Sequence, residues 1–365
     1  MEINKDQQVQ KAGDQSIQNQ LIGDNSSQTT IGSQINLHQT NIVTTNIPVD
    51  QVAALASTVT YQVMQQAKGF CIQIAEEKAI EKMQHFEKIW CPRVITMEHA
   101  VENLTDPKFH FMLRDANITA AQSSRQEDLC ILSELLACHV DKGSNLKIDA
   151  GINRAIKIVN EIDLDALCAL TVVMTIRSVV PTSGRIIDGL NALNNLYSKL
   201  LTLNLPENEE WLDHLDVLGL INIRFTANPK LENILSEKLD GYICIGMKKD
   251  SEEYMKTLEI LRKNGISETQ LVPNDLLEGY YRLNIAGLSS LKECLKSIIE
   301  LYSNDKDLQK MVMKNFMNQW DSFESLRIVK EWFDKIPVKF IINSVGKVLA
   351  QTNAKRIFPE YPDLI

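Results

Sequence analysis

The sequence predicts a mainly α-helical protein: a helical bundle, a smaller α+β C-terminal part and a short, β-prone N-terminal head. Three observations predict this class: a Gln/Asn-rich N-terminal stretch, long runs of apolar residues at helical spacing, and short strand-like stretches in the last third. A chain of 365 residues is too long for one simple core. We therefore divide it into four parts: a head (1–48), a long helix (49–92), a helical bundle (93–203) and a winged-helix-like α+β region (204–365).

The head differs from the rest of the chain in composition. Residues 1–48 hold nine Gln and six Asn, no aromatic residue and only six charged side chains. Gly-Asp or Gly-Ser pairs begin at Gly13, Gly23 and Gly32, and isolated isoleucines lie between them. Gly-Asp is typical of turns, and alternating runs such as residues 34–37 suit half-buried strands. Two predictions stay open: an ordered, β-rich head built from several copies, or a biased segment without structure of its own.

A long helix is predicted to begin at residues 48–50, with Asp50 as its N-cap. The helix carries two apolar stripes. The second covers residues 72–90, and Pro92 is predicted to end the helix. About forty residues at ~1.5 Å each give a rod of about 60 Å. We predict a stalk that packs against copies of itself; the alternative is a spine helix packed within one subunit. The first apolar stripe of this helix consists of Val52, Leu55, Val59, Val63, Ala67 and Phe70.

Residues 106–203 predict a run of helices with short connections, which is typical of an all-helical bundle. Pro107 lies at the start of the first helix. Acidic residues lead several of the helices, where they complement the positive helix end. The most apolar stretch, residues 166–180, is too short to span a bilayer and predicts a buried helix. The other helices are predicted over residues 126–140, 149–160, 163–180 and 185–203.

The last third predicts helices mixed with short strands. Residues 211–221 indicate a helix closed by Gly219, followed by a strand at 220–225. Two later stretches, 281–291 and 340–350, share one pattern: a strand, an Asn that caps a helix, and a Gly in the first helical turn. That Gly would let the helix lie close to the preceding strand. Both stretches are therefore predicted to be structural.

The C-terminal pattern also resembles winged-helix proteins. The segment that ends at Ile221 resembles the end of a recognition helix and the first wing strand, and the two later stretches resemble the final strand and helix. Contact with DNA phosphates needs cations on the reading helix. This helix and the residues before it carry no Lys or Arg but five carboxylates, Glu207, Glu209, Glu210, Asp213 and Asp216. Duplex binding is therefore not expected.

No catalytic, cofactor-binding or metal-binding constellation is recognisable in the sequence. Phosphate-loop, dinucleotide-binding and nucleophile-elbow motifs are missing. We predict that Cys138 belongs to the core and that His139 lies on the surface. We therefore predict no enzyme, no cofactor and no metal site; an enzyme with an unfamiliar site is the remaining alternative. The histidines are dispersed, at His38, His85, His99, His110, His139 and His214. Three acidic pairs are predicted to be solvated: Glu76 and Glu77, Glu209 and Glu210, Glu252 and Glu253.

Charge and cysteine use predict a cytoplasmic protein that avoids nucleic acid. The net charge of −9, from 38 basic and 47 acidic residues, repels phosphate backbones. Seven scattered cysteines without a Cys-x-x-Cys pair indicate reduced thiols. The polar residues 1–20 predict no signal peptide, and no membrane span is expected. A basic cluster could meet an acidic partner or be an ordinary helix face: Lys142, Lys147, Arg154 and Lys157.

The chain resembles an uncharacterised family of bacterial proteins associated with phage-defence and related conflict loci. The resemblance rests on the Gly-Asp-x-Ser repeats at Gly13 and Gly23, on the helical centre, and on the tail from residues 343–350 through 359–364. It implies a bacterial cytosolic protein that is a component of an antiviral defence system, and it implies no catalytic residue.

These observations lead to one functional expectation and one alternative. We expect a homo-oligomeric, non-enzymatic interaction or adaptor protein, whose head and long helix assemble copies and whose helical domains engage a protein partner. The alternative is a winged-helix-type DNA-binding regulator, which predicts a basic surface that the sequence does not display.

Overall fold

The computed structural model confirms a mainly helical chain with small antiparallel sheets. Its two compact units are Met1–Phe70 and Cys71–Ile365. The predicted head lies outside the described residues. The structure describes residues 49–98, 100–142, 145–201, 204–288, 291 and 293–365, without the side chains of residues 49–57 and 59.

Fourteen α-helices lie within the described residues. They are α1 (Val49–Ile95), α2 (Ala100–Thr105), α3 (Pro107–Gln122), α4 (Gln126–Lys142), α5 (Leu146–Ile158), α6 (Leu164–Ser178), α7 (Ile186–Leu200), α8 (Glu210–Val217), α9 (Leu231–Lys238), α10 (Glu252–Lys263), α11 (Lys296–Ile299), α12 (Lys306–Asp321), α13 (Glu324–Phe333) and α14 (Ser344–Ile357).

Two small antiparallel sheets accompany the helices. A two-stranded ribbon pairs β1 with β5, and a three-stranded sheet has the order β2-β4-β3. The strands are β1 (Ile221–Ala227), β2 (Met247–Lys248), β3 (Leu271–Pro273), β4 (Tyr280–Leu283) and β5 (Val338–Ile342).

Helix α1 starts where it was predicted but ends later. It begins at Val49, so Asp50 lies inside the helix rather than at the cap, and it continues through Pro92 to Ile95. The prediction that Pro92 ends the helix is wrong. Proline removes its own N–H donor and its ring crowds the carbonyl four residues earlier, but the buried side chains of Trp90 and Val94 hold this last turn against the core.

The predicted bundle helices are present in α3 to α7. Their starts follow the expected local chemistry, because the side chains of Asp106 and Asp163 accept bonds from the first backbone N–H groups of α3 and α6. Helix α6 is buried at every position from 166 to 176, as predicted for the most apolar stretch. The last helix, α14, packs against α4, α5 and α6. The boundary predicted between residues 203 and 204 stays a prediction.

The C-terminal ribbon confirms one of the two strand-Asn-helix stretches. Gly219 closes α8 with a φ of 70°, and β1 then pairs with β5 so that Ile221 lies opposite Ile342. The Asn343 side chain accepts a bond of 3.0 Å from the Gly346 backbone N–H and caps α14. The turn at Gly219 before β1 and the helix cap at Asn343 after β5 therefore both follow from local sequence signals.

In the other stretch, residues 281–291, the described residues 284–288 after the strand are not α-helical, so the helix predicted to begin at Asn284 is wrong. After β4, the backbone N–H of Asn284 donates to the carbonyl of Gln270 (2.8 Å), and the N–H of Leu288 donates to Asp240 Oδ1 (2.6 Å). In a helix capped by Asn284, the Leu288 N–H would donate to the Asn284 carbonyl four residues earlier; its bond to Asp240 takes the place of this first helical bond. The two similar stretches belong to different sheets, and the winged-helix interpretation stays a prediction.

Gly346 lets α14 approach the start of β1. A Cβ built at this position would fall within contact distance of the Leu220 carbonyl oxygen and 2.9 Å from Ile342 Cγ2. We expect Gly346→Ala to lower the free energy of unfolding by about 2 kcal/mol, because the backbone at Leu220 cannot yield easily. Equilibrium denaturation in urea measures this. Gly69→Ala in α1 is the matched control, since nothing lies within 4 Å of its new methyl group; it should be stabilising. Equal effects of the two changes would contradict this account.

Candidate functional site

The outer part of α1 carries no buried side chain among the residues that the structure describes. From residue 58 to residue 81, no side chain that the structure describes is buried. Large apolar side chains are among the exposed ones: Tyr61 (64% exposed), Met64 (65%), Phe70 (51%), Ile72 (50%) and Ile80 (50%). Described side chains of α1 are buried only at its end, at Phe86, Trp90 and Val94. Whether the outer part is a stalk or a spine helix stays a prediction.

Two different faces of α1 carry apolar residues. At about 100° per residue, Val63, Phe70 and Ile74 fall on one face, and Phe86 and Trp90 fall roughly half a turn away. The second face is the one that packs into the core. Three of the six residues of the predicted first stripe, Val52, Leu55 and Val59, have undescribed side chains, and Phe70 remains half-exposed. The face with Val63, Phe70 and Ile74 is a candidate surface for assembly.

A cleft of about 720 Å³ lies where the end of α1 meets α4 and α14. Its lining combines apolar groups with an unequal set of charges. The lining includes Lys88, Arg93, Met97, Ser133, Glu134 and Arg356.

The charges of this cleft are arranged around Glu134. An Nη atom of Arg93 lies 2.6 Å from Glu134 Oε2. Burial raises the pKa of Glu134, although the neighbouring Arg93 opposes the shift. Arg356 donates from Nε (3.2 Å) and Nη2 (2.9 Å) to Asn353 Oδ1. Within the described chain, neither Lys88 nor Arg356 forms an ion pair with a carboxylate. The cleft therefore has more positive than negative side chains.

A protein-family model matches residues 47–364 of the chain. The chain belongs to this uncharacterised family. The family description states no activity, substrate or partner. No curated protein and no solved structure matches the chain. The family region includes all fourteen helices and the cleft, and most of the predicted head lies before it.

A network of buried polar side chains surrounds His139. His139 is 1% exposed and its Nδ1 lies 2.8 Å from Asp149 Oδ1. Lys108 forms an ion pair with the other oxygen of Asp149, and the Phe109 ring stacks on His139 at 6.2 Å. The prediction that His139 lies on the surface is wrong, because the imidazole has a carboxylate and an aromatic ring as partners inside. Cys138 is partly buried and packs against the core. This network joins α3, α4 and α5.

The other predicted residues do not converge on a second site. His38 and His99 lie outside the described residues. His85, His110 and His214 each have a separate partner: Gln126 Oε1 (2.8 Å), the Leu104 carbonyl (2.8 Å) and the Asp163 N–H (3.1 Å). Among the residues that the structure describes, no group of three His, Cys, Asp or Glu side chains could hold a metal ion.

Surface charges behave largely as predicted. The five carboxylates on and before α8 are exposed, and so are the three acidic pairs. A second cleft, of about 620 Å³, lies beside α8 and is lined by Asp163, Asp165, Glu207 and Glu210. Two members of the predicted basic cluster are neutralised within the chain. Lys142 lies 3.4 Å from Asp363 and Lys157 lies 3.2 Å from Asp115.

The thiols and the helices give two further findings. All seven cysteines are free, and burial raises the pKa of Cys138 to about 11, so this thiol stays protonated at neutral pH. Within the described ranges, no helix has the length and apolar character that a membrane span needs.

The residues of the α1–α4–α14 cleft were not identified from the sequence. Arg93 and Arg356 lie in the last turns of α1 and α14. Basic residues are common at helix C-termini, where they complement the dipole, so neither position attracts notice alone. Their convergence on Glu134 depends on how three helices pack, which periodicity does not reveal.

Proposed function

We propose that this protein is an oligomeric, non-enzymatic interaction protein that assembles through α1. We further propose, from the resemblance to defence-associated bacterial proteins, that it is a cytoplasmic adaptor in an antiviral system. The observation that supports assembly is the outer part of α1, where described side chains from residue 58 to residue 81 are not buried although several are large and apolar.

Physical chemistry supports a contact between chains on this helix. An isolated helix in water is only marginally stable, because most helical stability in proteins comes from packing of an apolar face. Val63, Ala67, Phe70 and Ile74 follow one another in steps of four, three and four residues, which is the spacing of a coiled-coil seam. Each aliphatic or aromatic side chain fully removed from water there contributes roughly 1.5–3 kcal/mol.

The test is the solution mass of the full chain with Phe70 and Ile74 both replaced by Asp. Two carboxylates in an apolar seam would remain without partners and would oppose association. We expect the wild-type protein to be larger than one chain and the variant to have the mass of one chain by light scattering. Circular dichroism should stay close to wild type, since the buried core around Phe86 and Trp90 lies elsewhere.

Phe225→Asp is the matched control. Phe225 is also exposed, but it lies on β1, so this variant should keep the wild-type mass. A chain that starts at residue 49 separates the contribution of the predicted head. A monomeric wild-type protein would contradict assembly. So would a Phe70/Ile74 variant that unfolds while it is still oligomeric, which would support packing within one subunit.

The charges on and before α8 do not support the alternative function, a winged-helix-type DNA-binding regulator. A reading helix must present cations to phosphates, whereas the exposed side chains of α8 and the preceding residues are acidic, including Glu210, Asp213 and Asp216. The cleft beside α8 adds Asp163 and Asp165 on the same side. These charges would repel a duplex, so binding of a protein partner is the better proposal.

A further inference from the structure

We propose that the cleft between the end of α1, α4 and α14 binds a small organic anion, with one carboxylate or phosphate group on an apolar body. This inference goes beyond the proposed function and does not depend on it, because the cleft lies within Cys71–Ile365 and is complete in one chain.

The lining of the cleft carries more positive than negative charge. Three cations, Lys88, Arg93 and Arg356, line the cleft together with one carboxylate, Glu134, in a chain whose net charge is −9. Helices α1 and α14 both end near the cleft, and each helix end adds a partial negative charge of about 0.5. An excess of about one positive charge therefore remains. A bound anion would neutralise it.

Hydrogen bonds hold the guanidinium of Arg356 in a fixed position. Its Nε and Nη2 are held by Asn353 Oδ1, and Asn353 is itself buried, with its Nδ2 donating to Thr171 Oγ1 at 3.0 Å. The Thr171 hydroxyl in turn donates to the Leu167 carbonyl at 2.7 Å. This chain of bonds orients the guanidinium before any ligand arrives. Nη1 has no partner in the described chain. A preoriented donor loses little conformational entropy on binding.

The hydroxyl of Ser133 is a further hydrogen-bond donor at the cleft. This residue is 2% exposed, lines the cleft, and its hydroxyl has no hydrogen-bond partner in the described chain. A buried hydroxyl without a partner is unfavourable, and such groups are uncommon in native proteins. A rotation about the Cα–Cβ bond of Ser133 would turn the hydroxyl towards the cleft, where an oxygen of a bound anion would accept the missing hydrogen bond.

The remaining lining and the size of the cleft suit an apolar ligand body. Ile89, Pro92 and Met97 supply an apolar part of the lining. The volume of about 720 Å³ falls in the range of about 300–1,000 Å³ that is usual for small-molecule sites. The cleft therefore suits an anion with an apolar body better than a bare inorganic ion.

Isothermal titration of the full chain with phenyl phosphate and phenylacetate tests this proposal. We expect at least one of these probes to bind saturably, and the tighter one identifies the preferred anionic group. Inorganic phosphate and benzyl alcohol should bind at least about tenfold more weakly, since one lacks the apolar body and the other lacks the charge.

Two variants connect the binding to the cleft. Arg356→Gln should weaken binding at least about tenfold, and Arg327→Gln is its control, because Arg327 is an exposed residue of α13 that pairs with Glu331 at 3.2 Å. Ser133→Ala should weaken binding without lowering the stability in urea, because the hydroxyl has no protein partner to lose. The proposal is overturned if neither probe binds, or if binding is the same in wild type, Arg356→Gln and Ser133→Ala.

Discussion

Replacing Arg282 by Ala is expected to lower the free energy of unfolding by about 4 kcal/mol or more. Its side chain is fully buried, and its guanidinium lies 5.5 Å from the centre of the Tyr242 ring. Instead of a carboxylate, four backbone carbonyls accept its hydrogen bonds: Gly184 (2.9 Å), Leu283 (3.0 Å), Gly241 (3.3 Å) and Ile285 (3.4 Å). Truncation would remove a donor from all four carbonyls and create a cavity, although Leu283 keeps the Ile285 N–H (2.9 Å) and Gly241 keeps the Cys244 thiol (3.3 Å) as donors.

Equilibrium urea denaturation of the full chain measures this loss. Arg282→Lys should recover little stability, because a single ammonium group cannot reach carbonyls spread around a planar guanidinium. Arg224→Ala, at an exposed position of β1, is the control and should change stability by no more than about 0.5 kcal/mol. If Arg282→Ala proved as mild as Arg224→Ala, the buried guanidinium would have no role in holding these loops together.

The second large effect is expected at Asp149, where Ala should lower the free energy of unfolding by about 3 kcal/mol. Asp149 is 2% exposed and binds His139 with one oxygen and Lys108 with the other. Lys108 is partly exposed and can turn to water. His139 cannot, so its Nδ1 would be left buried without an acceptor, and its Nε2 already has no partner in the described chain.

Asp149→Asn separates the hydrogen bond from the charge. The amide oxygen can still accept from His139 Nδ1–H, so Asn should lose clearly less stability than Ala in the same urea experiment. Asp141→Ala, at an exposed position of α4, should be nearly neutral. If the Asn variant were as unstable as the Ala variant, the charge next to Lys108 would be the dominant contribution. Three equal results would mean that the network does not stabilise the fold.

The order and type of most helices could be predicted because their signals are local. Asp106 and Asp163 cap α3 and α6 through bonds to residues two or three positions ahead, and Gly219 ends α8 with a positive φ. Asn343 caps α14 in the same way. Each signal depends on neighbours within one helical turn, so the sequence alone contains the necessary information.

The residues that matter for the cleft could not be predicted in this way. Arg93 and Glu134 are 41 positions apart, and Arg356 lies in the last helix. The apolar stripes of α1 were recognisable in the sequence, but only the structure shows that the described side chains are buried at the end of the helix, at Phe86 and Trp90, and not at residues 60–81. Contacts between distant segments leave no periodic trace in either segment.

The sequence by itself determined the helical class, the strand on each side of the C-terminal ribbon and the absence of known catalytic motifs, because composition, caps and turns act over a few residues. The tertiary structure decided that β1 pairs with β5 and that the described residues 284–288 after β4 do not continue as an α-helix. It also decided that His139 is buried rather than exposed. In each case, the deciding partner is a group that folding brings close: Ile342 opposite Ile221, Gln270 beside Asn284, and Asp149 beside His139.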